Sequence, residues 1–241
     1  MPQYVSQIFV MLMSSLFGSV AYANPPIKLY YETREPYAYL APDGSVSGSI
    51  ATNVAQAFNE AGIFYEWVMI PFKRQLQQLE ANAEQACGLG FFKTVEREKI
   101  GKFSHVIYMD KFSVMLAHKN FRPAEGMGLF DAMSIKGARM LRKEASFYGA
   151  FVEDVTLKSK PSLVVTTAAP RNMALMIAAS RADFMLVTTD EAKYLMESIP
   201  ESNGLHIFKP VDMPAGQRRY LLCSNSVPDE VLNRFNRVIS K

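Results

Sequence analysis

Three histidines, two cysteines and a few glycine-flanked stretches are the places where this 241-residue chain could carry covalent or metal chemistry. His105, His118 and His206 stand far apart. They form neither a His-Glu-x-x-His motif nor a Cys/His zinc spacing, so they read as surface or hydrogen-bonded histidines. Gly44-Ser45-Val46-Ser47-Gly48 outlines a nucleophile elbow, but the elbow needs serine at its centre and the central residue is Val46. Gly88-Leu89-Gly90 and Gly126-Met127-Gly128 lack the third glycine of a dinucleotide fingerprint. No metal or cofactor is expected. What remains is charge and hydrogen-bond chemistry, which the chain's arginines could supply, Arg97 in the run Thr94-Val95-Glu96-Arg97 among them. A planar guanidinium offers paired donors that match a carboxylate. Read locally, Arg97 is equally a surface arginine neutralised by Glu96 or Glu98.

Composition narrows the class. With 49% hydrophobic, 20% charged and 12% aromatic residues, the chain is neither disordered, fibrous nor a disulfide-dense miniprotein. Lys+Arg number 26 against 23 Asp+Glu, a net charge of +3. The basic residues fall in scattered pairs (Lys73-Arg74, Arg142-Lys143, Arg218-Arg219), not in the stripe that phosphate neutralisation requires, so no nucleic-acid partner is expected. Beyond the first two dozen residues there is no apolar run of roughly 18 residues, the minimum for a membrane span.

The N-terminus reads as an address. Ile8 to Val20 form an uncharged apolar core, and Ala21-Tyr22-Ala23 places small residues where a signal peptidase cuts. The reading is a signal peptide over residues 1–23, cleaved after Ala23. The stretch before the core has no Lys or Arg, which leaves an uncleaved anchor as the alternative. Export changes how Cys87 and Cys223 read: in an oxidising compartment they form a disulfide, or else they remain two separate buried thiols.

The elements that must position these residues alternate strand and helix, the α/β signature. Ile27 to Tyr31 reads as a strand, and a turn at Pro42-Asp43-Gly44 follows. Ile50, Val54, Ala57 and Phe58 form a helical stripe capped by Ser49 and ended by Gly62. Phe64 to Ile70 and Cys87 to Phe92 are strands, with a helix from Pro71 between them. Thr94 to Ser104 reads as a polar loop and Phe112 to Ala117 as the next strand. In the second half, strands are expected at Ala138 to Leu141, Leu163 to Thr167, Phe184 to Thr188, Leu205 to Phe208 and Tyr220 to Cys223. Helices are expected from Ser146 (with Ser146 as cap), at Asn172 to Arg181, Asp190 to Ile199 and Pro228 to Ile239.

Four stretches taken together resemble the bacterial extracellular solute-binding proteins of family 3, the polar amino-acid receptors. They are Arg34-Glu35-Pro36-Tyr37-Ala38-Tyr39 with Gly44 and Gly48; Pro71-Phe72-Lys73-Arg74; Gly90 to Arg97 running into Phe103-Ser104; and Arg181-Ala182-Asp183-Phe184. The resemblance implies an α/β two-lobed periplasmic binding protein type II fold with two crossing hinge strands. Residues 24–110 and 210–241 would form one lobe and 111–209 the other. It implies that Arg97, in the turn opened by Thr94, pairs with a ligand carboxylate, and that Tyr37 packs on the ligand. Ser146 would offer donors to the same carboxylate, although a plain helix cap explains it equally well; Phe147 and Tyr148 would line the cleft.

Two departures from the family's pattern bear on the ligand. Phe92 stands where a small hydroxyl residue is usual. Thr188 stands where the family places the aspartate that holds a ligand ammonium, with Asp190 two positions late. Either Asp190 is shifted into the cleft, or the ligand is not a standard α-amino acid. The resemblance implies a monomeric, non-catalytic periplasmic receptor that captures a small carboxylate-bearing solute. A membrane permease or sensor, such as an ABC transporter, would be its partner. The alternative is an exported enzyme on the same fold, similar to cyclohexadienyl dehydratase, for which Glu35 and Glu66 are the candidate acids.

Overall fold

The computed structural model describes residues 25–240. The signal-peptide reading lies outside the described residues. The chain builds two five-stranded mixed sheets, each with its own helices and apolar core.

The first sheet has the order β4-β1-β5-β12-β6, from β1 (Ile27–Tyr31), β4 (Tyr65–Met69), β5 (Ala86–Phe91), β6 (Gly101–Met109) and β12 (Arg218–Ser224). β1 runs parallel to β4 and β5, whereas β12 runs antiparallel to β5 and β6. A small hairpin of β2 (Tyr39–Leu40) and β3 (Val46–Ser47) follows β1. Helix α1 (Ala51–Glu60) buries Val54, Ala57 and Phe58 against the sheet, the stripe that the spacing predicts. Val54 and Phe58 each contribute roughly 1.5–3 kcal/mol of burial, and the single methyl of Ala57 about 0.8. Helices α2 (Phe72–Ala81) and α3 (Val95–Ile100) complete this lobe, together with α8 (Asp229–Ile239), which sets Leu232 and Phe235 into the core.

The second sheet has the order β11-β7-β10-β8-β9, from β7 (Ser113–His118), β8 (Arg139–Lys143), β9 (Ser162–Thr166), β10 (Phe184–Thr188) and β11 (Leu205–Phe208). β8, β9 and β10 are parallel, and β7 pairs antiparallel with β10 in a register that sets Thr188 opposite Ser113. Helices α4 (Leu129–Met133), α5 (Ala150–Ser159), α6 (Pro170–Ala178) and α7 (Thr189–Ser198) pack on it. β10 is buried throughout, as a central strand covered on both faces must be.

The chain crosses between the sheets twice, through residues 110–112 and 209–217. The crossings touch: the Asp110 amide donates to the Gln217 carbonyl at 2.9 Å. A β-carbon on Gly216 would lie 1.7 Å from the Asp110 carbonyl oxygen, so only glycine allows the two strands this close. Cys87 and Cys223 face each other on β5 and β12 and are joined in a disulfide, which settles the choice left open by the sequence.

Four expectations are corrected. The polar loop at Thr94 to Ser104 is instead α3 and the start of β6. α3 buries only Arg97, and β6 alternates irregularly between buried and exposed residues, so neither carries an apolar period. Helix α4 was not expected; it is five residues long, too short to display a periodicity, yet it buries Leu129, Ala132 and Met133. The helix assigned to start at Ser146 begins at Ala150 with Gly149 as its N-cap, because residues 144–148 form a turn that projects toward the other lobe. Ser49 does not cap α1; Ile50 holds that position without a side-chain bond, and its own side chain is buried in the core.

Candidate functional site: a cleft between the lobes

The ends of the parallel strands in both sheets converge on one cleft of about 440 Å³. Tyr31 closes β1, Gly90 and Phe91 close β5, Lys143 closes β8 and Thr188 closes β10, and all of them line it. That is where open α/β sheets present their ligands, outside the carboxyl ends of the strands.

Arg97 is the most buried cation of the first lobe that points into this space without a carboxylate. Its backbone position is fixed by Thr94, whose hydroxyl accepts the Arg97 amide at 3.3 Å and caps α3. Its side chain lies over the rings of Phe72 and Phe91, with the guanidinium carbon 5.6 and 5.2 Å from their centroids. Nη1 donates to the Phe92 carbonyl at 2.9 Å, and Nη2 approaches the Ala145 carbonyl on the second lobe at 3.5 Å. Ala145 adopts a left-handed backbone, φ 58°, unusual for a residue with a β-carbon. Glu98 is taken by Lys93 at 2.9 Å, and among the described residues Arg97 has no ion pair. Burial first, and then the neighbouring Arg219, push its pKa down to about 10.

Two further arginines line the cleft, and both are paired. Arg219 of β12 donates from Nε to Asp110 at 2.7 Å and from Nη1 to the Gly90 carbonyl at 2.8 Å, and its guanidinium stacks 4.4 Å from the Phe92 centroid. Arg34 forms a two-point bridge to Glu191 of α7, both contacts at 2.8 Å. The Glu191 carboxylate keeps Arg34 firmly charged despite its burial.

Tyr37 is buried at the cleft wall, where its hydroxyl hydrogen-bonds the Thr188 hydroxyl across the two lobes. Burial, followed by the nearby Glu191, raises its pKa. Gly48 makes this placement feasible: it has φ 123°, and a β-carbon there would sit 2.4 Å from the Tyr37 carbonyl. On the second lobe, Tyr148 accepts the Lys143 amide at 2.9 Å through its hydroxyl, and Ser146 and Phe147 line the cleft beside it. Phe147 meets Phe92 edge to face at 6.4 Å between centroids, an aromatic contact between lobes.

Of the residues singled out from sequence, Arg97, Tyr37, Phe92, Ser146 and Tyr148 thus come together at one cleft. Thr94 stands behind Arg97 as its cap. Asp190 is not among the lining residues; its carboxylate pairs with Lys111 at 2.8 Å. Sequence reasoning missed Arg219, Asp110, Glu191, Lys143 and Gln75. Arg219 and Lys143 were visible only as members of scattered basic pairs, and Gln75 was passed over although it stands three residues after Phe72 and four before Leu79, on the inward face of α2. Gln75 lines the cleft yet is 2% exposed, with Nε2 bonded to the Ile70 carbonyl at 3.0 Å and Oε1 buried without a partner.

The sequence matches no protein-family model and no curated protein. Solved structures do match. An amino-acid ABC transporter substrate-binding protein from Streptococcus pneumoniae bound to L-arginine superposes with a TM-score of 0.71 at 17% identity, covering 89% of this chain and 87% of that one. An arginine-specific periplasmic binding protein from Salmonella typhimurium gives 0.69 at 14% identity, covering 90% and 92%. An ancestral amino-acid-binding protein described as a precursor of cyclohexadienyl dehydratase gives 0.65 at 15% identity, covering 89% and 88%. The chain has the two-lobed fold of the periplasmic binding proteins, the fold that the four sequence stretches imply.

Proposed function

We propose that this protein is a solute-binding receptor of the periplasm that closes its two lobes on a small carboxylate-bearing solute and presents it to a membrane permease or sensor. The observation that carries the reading is Arg97: a buried guanidinium, set on aromatic faces at the cleft, with no carboxylate partner among the described residues. A buried charge without a counter-ion is costly, so the site favours an anion that brings one. Fold neighbours that bind amino acids support a receptor, and the one from an ABC transporter supports a permease as partner.

The enzyme alternative requires a carboxylic acid free to give up a proton in the cleft. Glu32, Asp110 and Glu191, the acids that line it, each sit in an ion pair with Lys143, Arg219 and Arg34 respectively. Glu35 and Glu66 are not lining residues. This arrangement favours binding over catalysis.

The test is thermal unfolding of the purified protein with amino acids, polyamines, small carboxylates and prephenate. A ligand at about 100 times its Kd adds roughly 2.7 kcal/mol of stability. A stabilising ligand recovered unchanged supports a receptor, and one that is consumed supports the enzyme. Arg97→Ala should then weaken a carboxylate ligand by about 1.5–3 kcal/mol in calorimetry.

A further inference from the structure

The proposed receptor leaves the chemical class of its solute open, and three features of the cleft constrain it. The first is the state of its carboxylates. A ligand ammonium held out of water needs an anionic partner. Every acid lining the cleft already has a cation: Glu191 is fully buried under the two-point bridge from Arg34, Asp110 is bonded to Arg219 with both side chains almost wholly enclosed, and Glu32 is held by Lys143. An ammonium would have to share a carboxylate that an arginine or lysine already neutralises, leaving one positive charge uncompensated. Thr188, at the end of β10, is neutral and is already bonded to Tyr37.

The second feature is the body of the cleft. Its wall is more apolar than polar, with the rings of Phe92, Phe147 and Tyr148 among the residues that line it. Phe92 and Phe147 come from opposite lobes and meet edge to face, so a flat apolar group in the cleft packs against a joint aromatic surface from both lobes.

The third feature is Gln75. Its amide orientation is set by the bond from Nε2 to the Ile70 carbonyl, which leaves Oε1 as a buried acceptor with no donor. A single neutral acceptor suits a hydroxyl or a neutral N–H, but does not compensate a full positive charge.

From these three features we propose that the solute is an aromatic carboxylate without an ammonium group, its carboxylate on Arg97, its ring between the lobes, and a neutral hydroxyl or N–H donor on Gln75. This rests on the receptor reading and specifies its ligand.

Calorimetry of the purified protein with 3-phenyllactate, 3-phenylpropionate, L-phenylalanine, lactate and L-arginine tests it. The first three share one skeleton and carry a hydroxyl, a hydrogen and an ammonium at the same carbon. The expected order is phenyllactate tightest, phenylpropionate several-fold weaker, and phenylalanine at least tenfold weaker than phenyllactate. Lactate, without the ring, should be weaker still. Gln75→Met should erase the gap between phenyllactate and phenylpropionate, and a cooperative urea transition read by circular dichroism shows that the variant is folded. Phenylalanine or arginine binding as tightly as phenyllactate overturns the proposal and leaves the receptor standing. So does lactate matching phenyllactate, or a gap that survives in Gln75→Met. No saturable binding of any of the five overturns the receptor reading itself.

Discussion

Arg34 and Glu191, 157 residues apart in the chain, meet fork to fork across the cleft, with Nε and Nη2 of the arginine each 2.8 Å from a carboxylate oxygen. The Glu191 side chain has no exposed surface, whereas that of Arg34 is 33% exposed. Lys143 with Glu32, Lys73 with Glu144, and Tyr37 with Thr188 add further bonds between the lobes. The surface pair Lys73–Glu144 contributes little in water, but the enclosed Arg34–Glu191 bridge does not have that escape. The protein's own side chains therefore hold the lobes together, and a solute works on a balance these bonds already favour. A ligand moves such a balance only through contacts that differ between open and closed forms.

Arg34→Met removes the cation and leaves the Glu191 carboxylate buried alone, which costs about 3–5 kcal/mol if the cleft stays shut. Opening hydrates the carboxylate and relieves that cost. The expected outcome in small-angle scattering is a larger radius of gyration for the ligand-free variant, reversed in Arg34→Met/Glu191→Leu, where no charge is left to hydrate. If the single variant keeps both the scattering profile and the urea midpoint of the parent, the pair does not latch the lobes.

The proposed anion site has a pH signature. Burial and Arg219 push the Arg97 pKa down to about 10, and a bound carboxylate would raise it again. The bound form thus holds the Arg97 proton more tightly than the free form. Affinity for a carboxylate is then full below about pH 10 and lost as pH rises through it. At the other end it is lost as the ligand carboxyl protonates, near pH 4 for an ordinary carboxylic acid. Calorimetry between pH 6 and 11 should trace the upper limb, and Arg97→Ala should flatten it. An upper limb that survives in that variant belongs to another group.

Much of this architecture is legible in the sequence because most elements are short runs with a clear period. β10 and the stripe of α1 announce themselves as an unbroken apolar run and as an i, i+4, i+7 pattern. α3 and β6 do not, since their roles are to cap, to position Arg97 and to form an edge. At the site, the resemblance carried by short motifs brings out Arg97 and Tyr37, which local sequence alone leaves open. The groups that decide the ligand's charge were hidden. Glu191, Asp110 and Arg219 belong to no local pattern, and their meaning comes from partners more than 100 residues away. Gln75 sits on a helix of mostly polar composition, and only its spacing from Phe72 and Leu79 marks it as part of the inward face.

The Cys87–Cys223 bond closes a separation of 136 residues between two strands that are already neighbours. In the chain-entropy model a closed loop of that length removes about 5 kcal/mol of disorder from the unfolded state. Urea unfolding with and without reductant should therefore show a large loss of stability on reduction, and Cys87→Ser/Cys223→Ser should match the reduced protein. Because the bond lies within the first sheet, ligand affinity of the reduced folded protein should stay close to that of the oxidised form. A reduced protein as stable as the oxidised one would mean that the bond constrains an unfolded chain that is already restricted there.

Gly216 is where the two crossings are pressed together, and Asp110, the residue it touches, also holds Arg219 at the cleft wall. A β-carbon at position 216 would meet the Asp110 carbonyl oxygen at 1.7 Å and its carbon at 2.3 Å, and backbone cannot yield as a side-chain end can. Gly216→Ala must separate the crossings, weakening the bond from the Asp110 amide to the Gln217 carbonyl. The expected cost is about 1–3 kcal/mol, the range for overpacking a filled site, read from the urea midpoint. The same displacement moves Asp110 relative to Arg219, so affinity for the carboxylate should fall with stability. Gly44→Ala, a turn glycine with nothing within 4 Å of the added carbon, serves as the control that strains the backbone without touching the hinge. Equal loss of affinity in both variants would mean that the close approach at Gly216 has no part in positioning the cleft.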